Sequence, residues 1–310
     1  MSVWSEIRRE LQWAWHSLMF HLTAAAAILF GIWMYHSAVT EQTNTKKEFA
    51  SSLAQSAAIG ESLEDALSHP LEITVTPDGG QLIHNPLRYS YEALTQAASV
   101  LSAPGMVSNT LSTACFLLIP FAGFAVGMAS ASHDLRSGGI VLRWPQTMQG
   151  AFLTSKIAMG VGLMLALVAV GSLTSCILGA FWGGADTTYP PAPAPSLLHL
   201  LALAGFAVLI GAVFILFGLL VGSIFTERII PLVTFFGLYY LIPLFGEWDP
   251  RQWITASGKH VIHYVGGLQI PEAKDALLPS MLLLAMAVLS LAGVLMMWRW
   301  RSKMPTRGVT

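Results

Sequence analysis

The chain has 310 residues, 54% of them hydrophobic and only 11% charged, and its mean hydropathy is +0.61. A water-soluble domain carries about 25% charged residues, so this balance excludes a soluble globular fold and indicates a membrane protein. The formal net charge of −1 hides an asymmetry between the two faces of the membrane.

Residues 1–16 place Trp4, Ile7, Leu11, Ala14 and Trp15 at three-four spacing, with Glu6, Arg8, Arg9, Glu10 and Gln12 on the other faces. This is the pattern of an amphipathic helix lying in the membrane interface, where the tryptophan N–H finds a wet partner. The apolar run that follows is too long for the core of a signal peptide and lacks a good cleavage site, so it reads as a retained first span. Six segments are long and apolar enough to cross a bilayer: 17–36, 110–131, 157–181, 198–224, 229–246 and 279–299. Each is expected to be a helix, because hydrocarbon offers no partner to a free backbone N–H or C=O, and the alternation of a membrane barrel is missing. Pro120 is expected to kink the second span, and Pro231 and Pro243 to bend the ends of the fifth. Cys115 and Cys176 both fall inside apolar segments and read as small core residues.

Lysine and arginine set the orientation. With both termini in the cytoplasm, ten of these residues lie inside and six outside, although the outer loops are about twice as long. The basic tail 300–310 then faces inward. Outside, residues 37–109 form a small extracytoplasmic insertion between the first two spans. Thr40 to Leu67 reads as polar helix, Leu71 to Thr76 as a strand closed by the Pro77-Asp78-Gly79-Gly80 turn, and Tyr91 to Leu101 as a further helix. Residues 183–197 are a Gly/Pro-rich connector. The extracytoplasmic loop 247–278 has room for one or two short helices.

Little in the chain signals chemistry. By this segmentation no Asp, Glu, Lys or Arg lies deep in a span, which argues against an ion-coupled transporter. A phosphate-binding Gly-x-x-x-x-Gly-Lys-Ser/Thr loop is missing, as are the GxSxG and HExxH signatures. No catalytic, cofactor-binding or metal-binding residue is therefore assigned. His16, His21, His260 and His263 are spaced for metal or haem ligation but lack the carboxylate-backed cluster such a site needs, and they read as interfacial histidines. Energy for any work would have to enter from another protein at the cytoplasmic surface.

The polar, basic stretch 132–156, SHDLRSGGIVLRWPQTMQGAFLTSK, is a compact cytoplasmic elbow between the second and third spans. Asp134-x-x-Ser137-Gly138-Gly139, then Pro145, then Lys156 resembles the coupling motif of the permease subunit of ABC-2-type ABC transporters. That motif has an acidic residue, a Gly-Thr-Leu turn, a proline and a Gly-Lys pair entering the third helix. Asp134 stands where glutamate is usual, Ile140 where the family has threonine, and Ser155 where it has glycine. Six spans, an amphipathic first helix and a large loop after the first span are similar to the same family.

The resemblance implies an all-α polytopic subunit in the bacterial cytoplasmic membrane, without enzymatic activity of its own. It would pair with a second permease subunit, identical or paralogous, and with separate nucleotide-binding ATPase subunits that carry the ATP and Mg. It implies no role for nucleic acid. The elbow residues Asp134, Arg136, Ser137, Gly138, Gly139, Arg143, Pro145 and Lys156 would form the coupling interface, through charge-assisted contacts and close backbone approach. Phe121, Phe124, Phe217, Phe235, Phe236 and Tyr239 are candidates to line a path for an amphipathic, peptide or lipid-like substrate, although residues at such helical spacing more often serve as packing or face lipid. A different reading makes the chain a membrane-anchored sensor or assembly factor working through residues 37–109. Another makes it a haem-handling protein using the histidines named above.

Overall fold

The computed structural model of the chain describes residues 3–75, 81–137, 149–182, 192–225, 227–241, 249–262 and 276–303. The described chain is helical apart from one short hairpin. Four helices are long and apolar enough to cross a membrane: α2 (Met19–Ala58), α7 (Gln149–Trp182), α8 (Leu197–Ile224) and α11 (Leu277–Arg301). The bent pair α5 (Ala103–Phe116) and α6 (Leu118–Arg136) makes a fifth when taken as one span. The protein is therefore an all-α, multi-pass membrane protein. Of the expected fifth span, 229–246, the described part is α9 (Ile229–Phe236) and a π-helical turn (Gly237–Leu241), shorter than a membrane crossing; residues 242–246 lie outside the described residues.

Contacts divide the chain into two compact units. The first takes in Met1–Leu29, Leu111–Gly171 and Leu201–Thr310. Its core gathers Ala14 of α1 (Val3–His16), Phe152, Met159 and Leu163 of α7, Ile215 and Leu219 of α8, and Trp298 of α11. Helices α6 and α8 approach closely because both carry glycines on the facing side. A Cβ added to Gly127 would fall within 3.0 Å of Ile215 O and Leu219 N, and one added to Gly218 within 3.0 Å of Phe124 O and Met128 N. In a bilayer, where helices gain little from hydrophobic exclusion, such backbone approach supplies much of the packing.

The kink expected at Pro120 is present as a 53° bend between α5 and α6. Proline has no N–H to give the carbonyl four residues back, which is Phe116. That carbonyl accepts from the Tyr239 hydroxyl at 2.9 Å, and the Tyr240 hydroxyl donates to Leu117 O. Both tyrosines come from the π turn, whose extra residue per turn brings the two adjacent hydroxyls to adjacent carbonyls. Outside the spans, α10 (Pro250–Ser257) is one short helix in the loop where such helices were expected; Asp249 caps it and holds Arg251 through both carboxylate oxygens.

The second unit comprises Phe30–Thr110 and Ser172–Leu200. Its small core is Phe49, Ala66, Leu87 and Leu94. The sequence reading separated a first span ending at 36 from a polar helix beginning at Thr40. Instead α2 runs unbroken to Ala58, because nothing between these positions is a helix breaker. It ends where Gly60 takes a left-handed φ of 83°. Helix α3 (Leu63–Ser68) follows, started by a capping box between Ser62 and Asp65. Strand β1 (Ile73–Val75) lies within the expected strand and pairs antiparallel with β2 (Gln81–Ile83), Ile73 opposite Ile83; the expected turn 77–80 lies outside the described residues. Helix α4 (Pro86–Val100) begins five residues earlier than expected because Asn85 caps it and Pro86 occupies its first turn. The Asn85 side chain also donates to Ala66 O at 2.8 Å, locking α3 to α4.

Candidate functional site

The elbow 132–156 takes in the ends of two helices. Helix α6 continues to Arg136 and α7 begins at Gln149, so Asp134 and Lys156 are helical residues rather than loop residues. Both are buried, at 2% and 1% exposure. Lys156 lies in the second turn of the long apolar helix α7, near its start.

A buried ammonium needs acceptors for three N–H bonds. Lys156 Nζ lies 2.5 Å from Asp134 Oδ2, 3.2 Å from both carboxylate oxygens of Glu10, and 2.9 Å from Ser130 Oγ. Its stem crosses the ring of Phe152, one turn earlier on α7, with Nζ 5.1 Å from the centroid. That ring packs edge-on against Trp298 at 5.1 Å, and the indole N–H donates to Ser223 Oγ at 2.7 Å. One ion cluster thus joins α1, α6 and α7, and continues through two rings into α11 and α8.

Helix α1 joins this cluster through its charged face. Glu6, Glu10 and Ala14 are its buried residues, while Trp4 is 73% and Trp15 54% exposed. The carboxylates face protein and the tryptophans face outward, an arrangement suited to an apolar surrounding rather than to water. Trp13 of the same helix lies 5.0 Å from the His133 ring, beside Asp134. The clue to the buried face is the spacing: Glu6, Glu10 and Ala14 recur every four residues and form one stripe. Glu10 and Ser130 are the members of the cluster that sequence reasoning missed.

The remaining elbow residues behave differently. Arg136 is half-exposed and meets Glu227 of the α8–α9 turn at 3.3 Å. Arg228 in that turn donates to Ser132 Oγ at 2.8 Å; partial burial, and then the neighbouring Arg136, lower its pKa. Ser137 closes α6 by donating to His133 O at 2.9 Å. Gly138, Gly139, Arg143 and Pro145 lie outside the described residues.

The six aromatic residues proposed for a path form, together with Tyr240, one contiguous cluster in the first unit. Phe124 stacks on Phe235 at 4.2 Å, Phe235 on Tyr239 at 5.5 Å, Phe217 lies 5.5 Å from Phe124, and Phe121 meets Phe236 edge-on at 5.8 Å. Phe124 and Tyr239 are fully buried in this contact, and Phe236 is exposed. Among the described residues no group of three His, Cys, Asp or Glu is arranged to hold a metal ion; His263 lies outside them. The cluster around Lys156 is suited to holding helices in register. Set against family models, curated proteins and solved structures, the chain matches none.

Proposed function

We propose that this chain is the permease subunit of an ATP-driven exporter of the ABC-2 type, in the bacterial cytoplasmic membrane. It crosses the membrane six times with both termini in the cytoplasm, pairs with a second permease subunit, and takes its energy from a separate nucleotide-binding subunit that carries ATP and Mg. Its cargo is an amphipathic, peptide or lipid-like molecule.

The observation that carries this reading is the clasp formed by Glu10, Asp134 and Lys156. It binds the interfacial helix to both helices that flank residues 137–148, so a push or pull on that segment reaches two spans as one body. In this form of the proposal the partner contacts fall to Arg136, Ser137, Gly138, Gly139, Arg143 and Pro145, while Asp134 and Lys156 transmit. The folded core around Phe49 and Leu94 in the second unit favours the competing reading, a sensor or assembly factor working through an outer domain.

Affinity purification of the chain from its native membranes in mild detergent separates the two. The permease reading expects a near-stoichiometric protein with a phosphate-binding loop, lost when residues 138–148 are replaced by a flexible linker of equal length. Recovery of no ATPase, even with nucleotide and cross-linker present, rejects it.

A further inference from the structure

The second unit contains a polar layer that the permease reading leaves unused. In α5 the polar run Ser108-Asn109-Thr110 is followed by Ser112 and Thr113, and all five side chains are buried. Ser172 and Ser175 stand one turn apart on α7, both buried. Thr110 Oγ1 and Ser175 Oγ are hydrogen-bonded at 2.8 Å, and Ser175 Oγ donates onward to Ser172 O at 3.0 Å. These two hydroxyls are satisfied.

Their neighbours are not. Asn109 Oδ1 and Ser172 Oγ are buried with no hydrogen-bond partner among the described residues, at 5% and 7% residue exposure. Buried polar atoms in native proteins are nearly always paired, with protein, ordered water or ligand, and apolar surroundings raise the penalty for leaving one alone. Sliding the two helices to cure the defect is resisted one turn further on, where a Cβ on Gly179 would already lie 3.2 Å from Met106 Cγ and 3.3 Å from Leu101 O.

We propose that Asn109 and Ser172 form a hydrated, uncharged binding site that takes a hydroxyl- or amide-bearing group of the transported molecule. The chemistry follows from the atoms. Asn109 Oδ1 only accepts and Ser172 Oγ accepts or donates, so the ligand must bring an O–H or N–H. Neither α5 nor the 172–182 part of α7 contains Asp, Glu, Lys or Arg, so a charged group would find no counter-ion there. The identity of the ligand as cargo rests on the permease reading; the existence of a hydrated neutral site does not.

The test is cysteine reactivity in the full-length chain in native membrane vesicles, with Cys115→Ala and Cys176→Ala together as background. Ser172→Cys and Asn109→Cys are compared with Leu167→Cys, an equally buried apolar position on α7. The probes are hydroxyethyl methanethiosulfonate, which is neutral, and its sulfonate analogue, which is charged. The expected result is labelling of both new thiols by the neutral reagent at least tenfold faster than Leu167→Cys, and at least tenfold faster than by the sulfonate. Ser172→Cys labelling as slow as Leu167→Cys overturns the site, and equal rates with the two reagents overturn its neutral character. Ser172→Cys changes a single atom, so that arm remains decisive if Asn109→Cys fails to fold. Because labelling needs no ATPase, a positive result alongside failure to recover a nucleotide-binding partner would keep the site and discard the cargo.

Discussion

The ammonium of Lys156 in α7 lies 3.2 Å from each carboxylate oxygen of Glu10 in α1, across 146 positions of sequence, with both side chains out of water. A contact so distant in the chain fixes α1 to α7 in one register. Burying ions costs several kcal/mol each, and a buried pair compensates only when all its members are present.

Removing the cation alone should therefore be severe. Lys156→Met leaves Glu10 and Asp134 buried without their shared cation and should destabilise the first unit by about 3–5 kcal/mol. The triple change Glu10→Gln, Asp134→Asn, Lys156→Met removes the charges together and should recover most of that loss. Tryptophan-fluorescence melting in detergent reads both, since Trp298 belongs to the same network. Equal melting temperatures for the wild type and the single variant would show that the cluster does not hold the unit together.

The α6–α8 contact makes a second demand. Gly218→Ala sets a methyl within 3.0 Å of Phe124 O and Met128 N, which are backbone atoms and cannot swing aside. The helices must separate, at a cost of about 1–3 kcal/mol. Gly205→Ala on the same helix meets nothing within 4 Å and should be close to neutral. Melting temperatures of the two variants, measured side by side, check the contrast.

The membrane class, the apolar helices and the kink at Pro120 were legible in the sequence because each follows from local chemistry: apolar run length, or one missing N–H. The capping residues of α4 were legible in principle, as Asn85-Pro86 is a helix start. Glu10, Ser130 and the burial of Lys156 were not, because a charge at the end of an apolar run looks the same whether it faces water or a partner 146 residues away. The buried carboxylate stripe of α1 was hidden for a related reason. In water the tryptophan face would be the buried one; in a membrane the outside is also apolar, so hydrophobicity no longer marks the interior.

The second unit should be sensitive to acid at α3. The Ser62 hydroxyl and then the Ser62 amide donate to the Asp65 carboxylate, which holds its pKa below the ordinary value. A depressed folded pKa contributes stability above the unfolded value, about 3.9, and loses it as pH falls through the folded value. Amide exchange in Leu63–Ser68 should accelerate between pH 5 and pH 3 beyond the intrinsic trend. Asp65→Asn should flatten that dependence, and an unchanged profile in the variant would place the acid sensitivity elsewhere.

The bend at Pro120 and the tyrosines of the π turn form one device, which a double-mutant cycle can expose. Tyr239→Phe removes the donor to Phe116 O and leaves a buried carbonyl unpaired, a loss of about 1–3 kcal/mol. Pro120→Ala restores a backbone N–H whose acceptor in a regular helix is that same Phe116 carbonyl. In the Pro120→Ala background the carbonyl has an alternative donor, so Tyr239→Phe should cost less than half as much as in the native chain. Additive losses would mean that α5 and α6 stay bent without the proline, with the bend held by Tyr240 at Leu117 O and by the aromatic packing of Phe121 against Phe236.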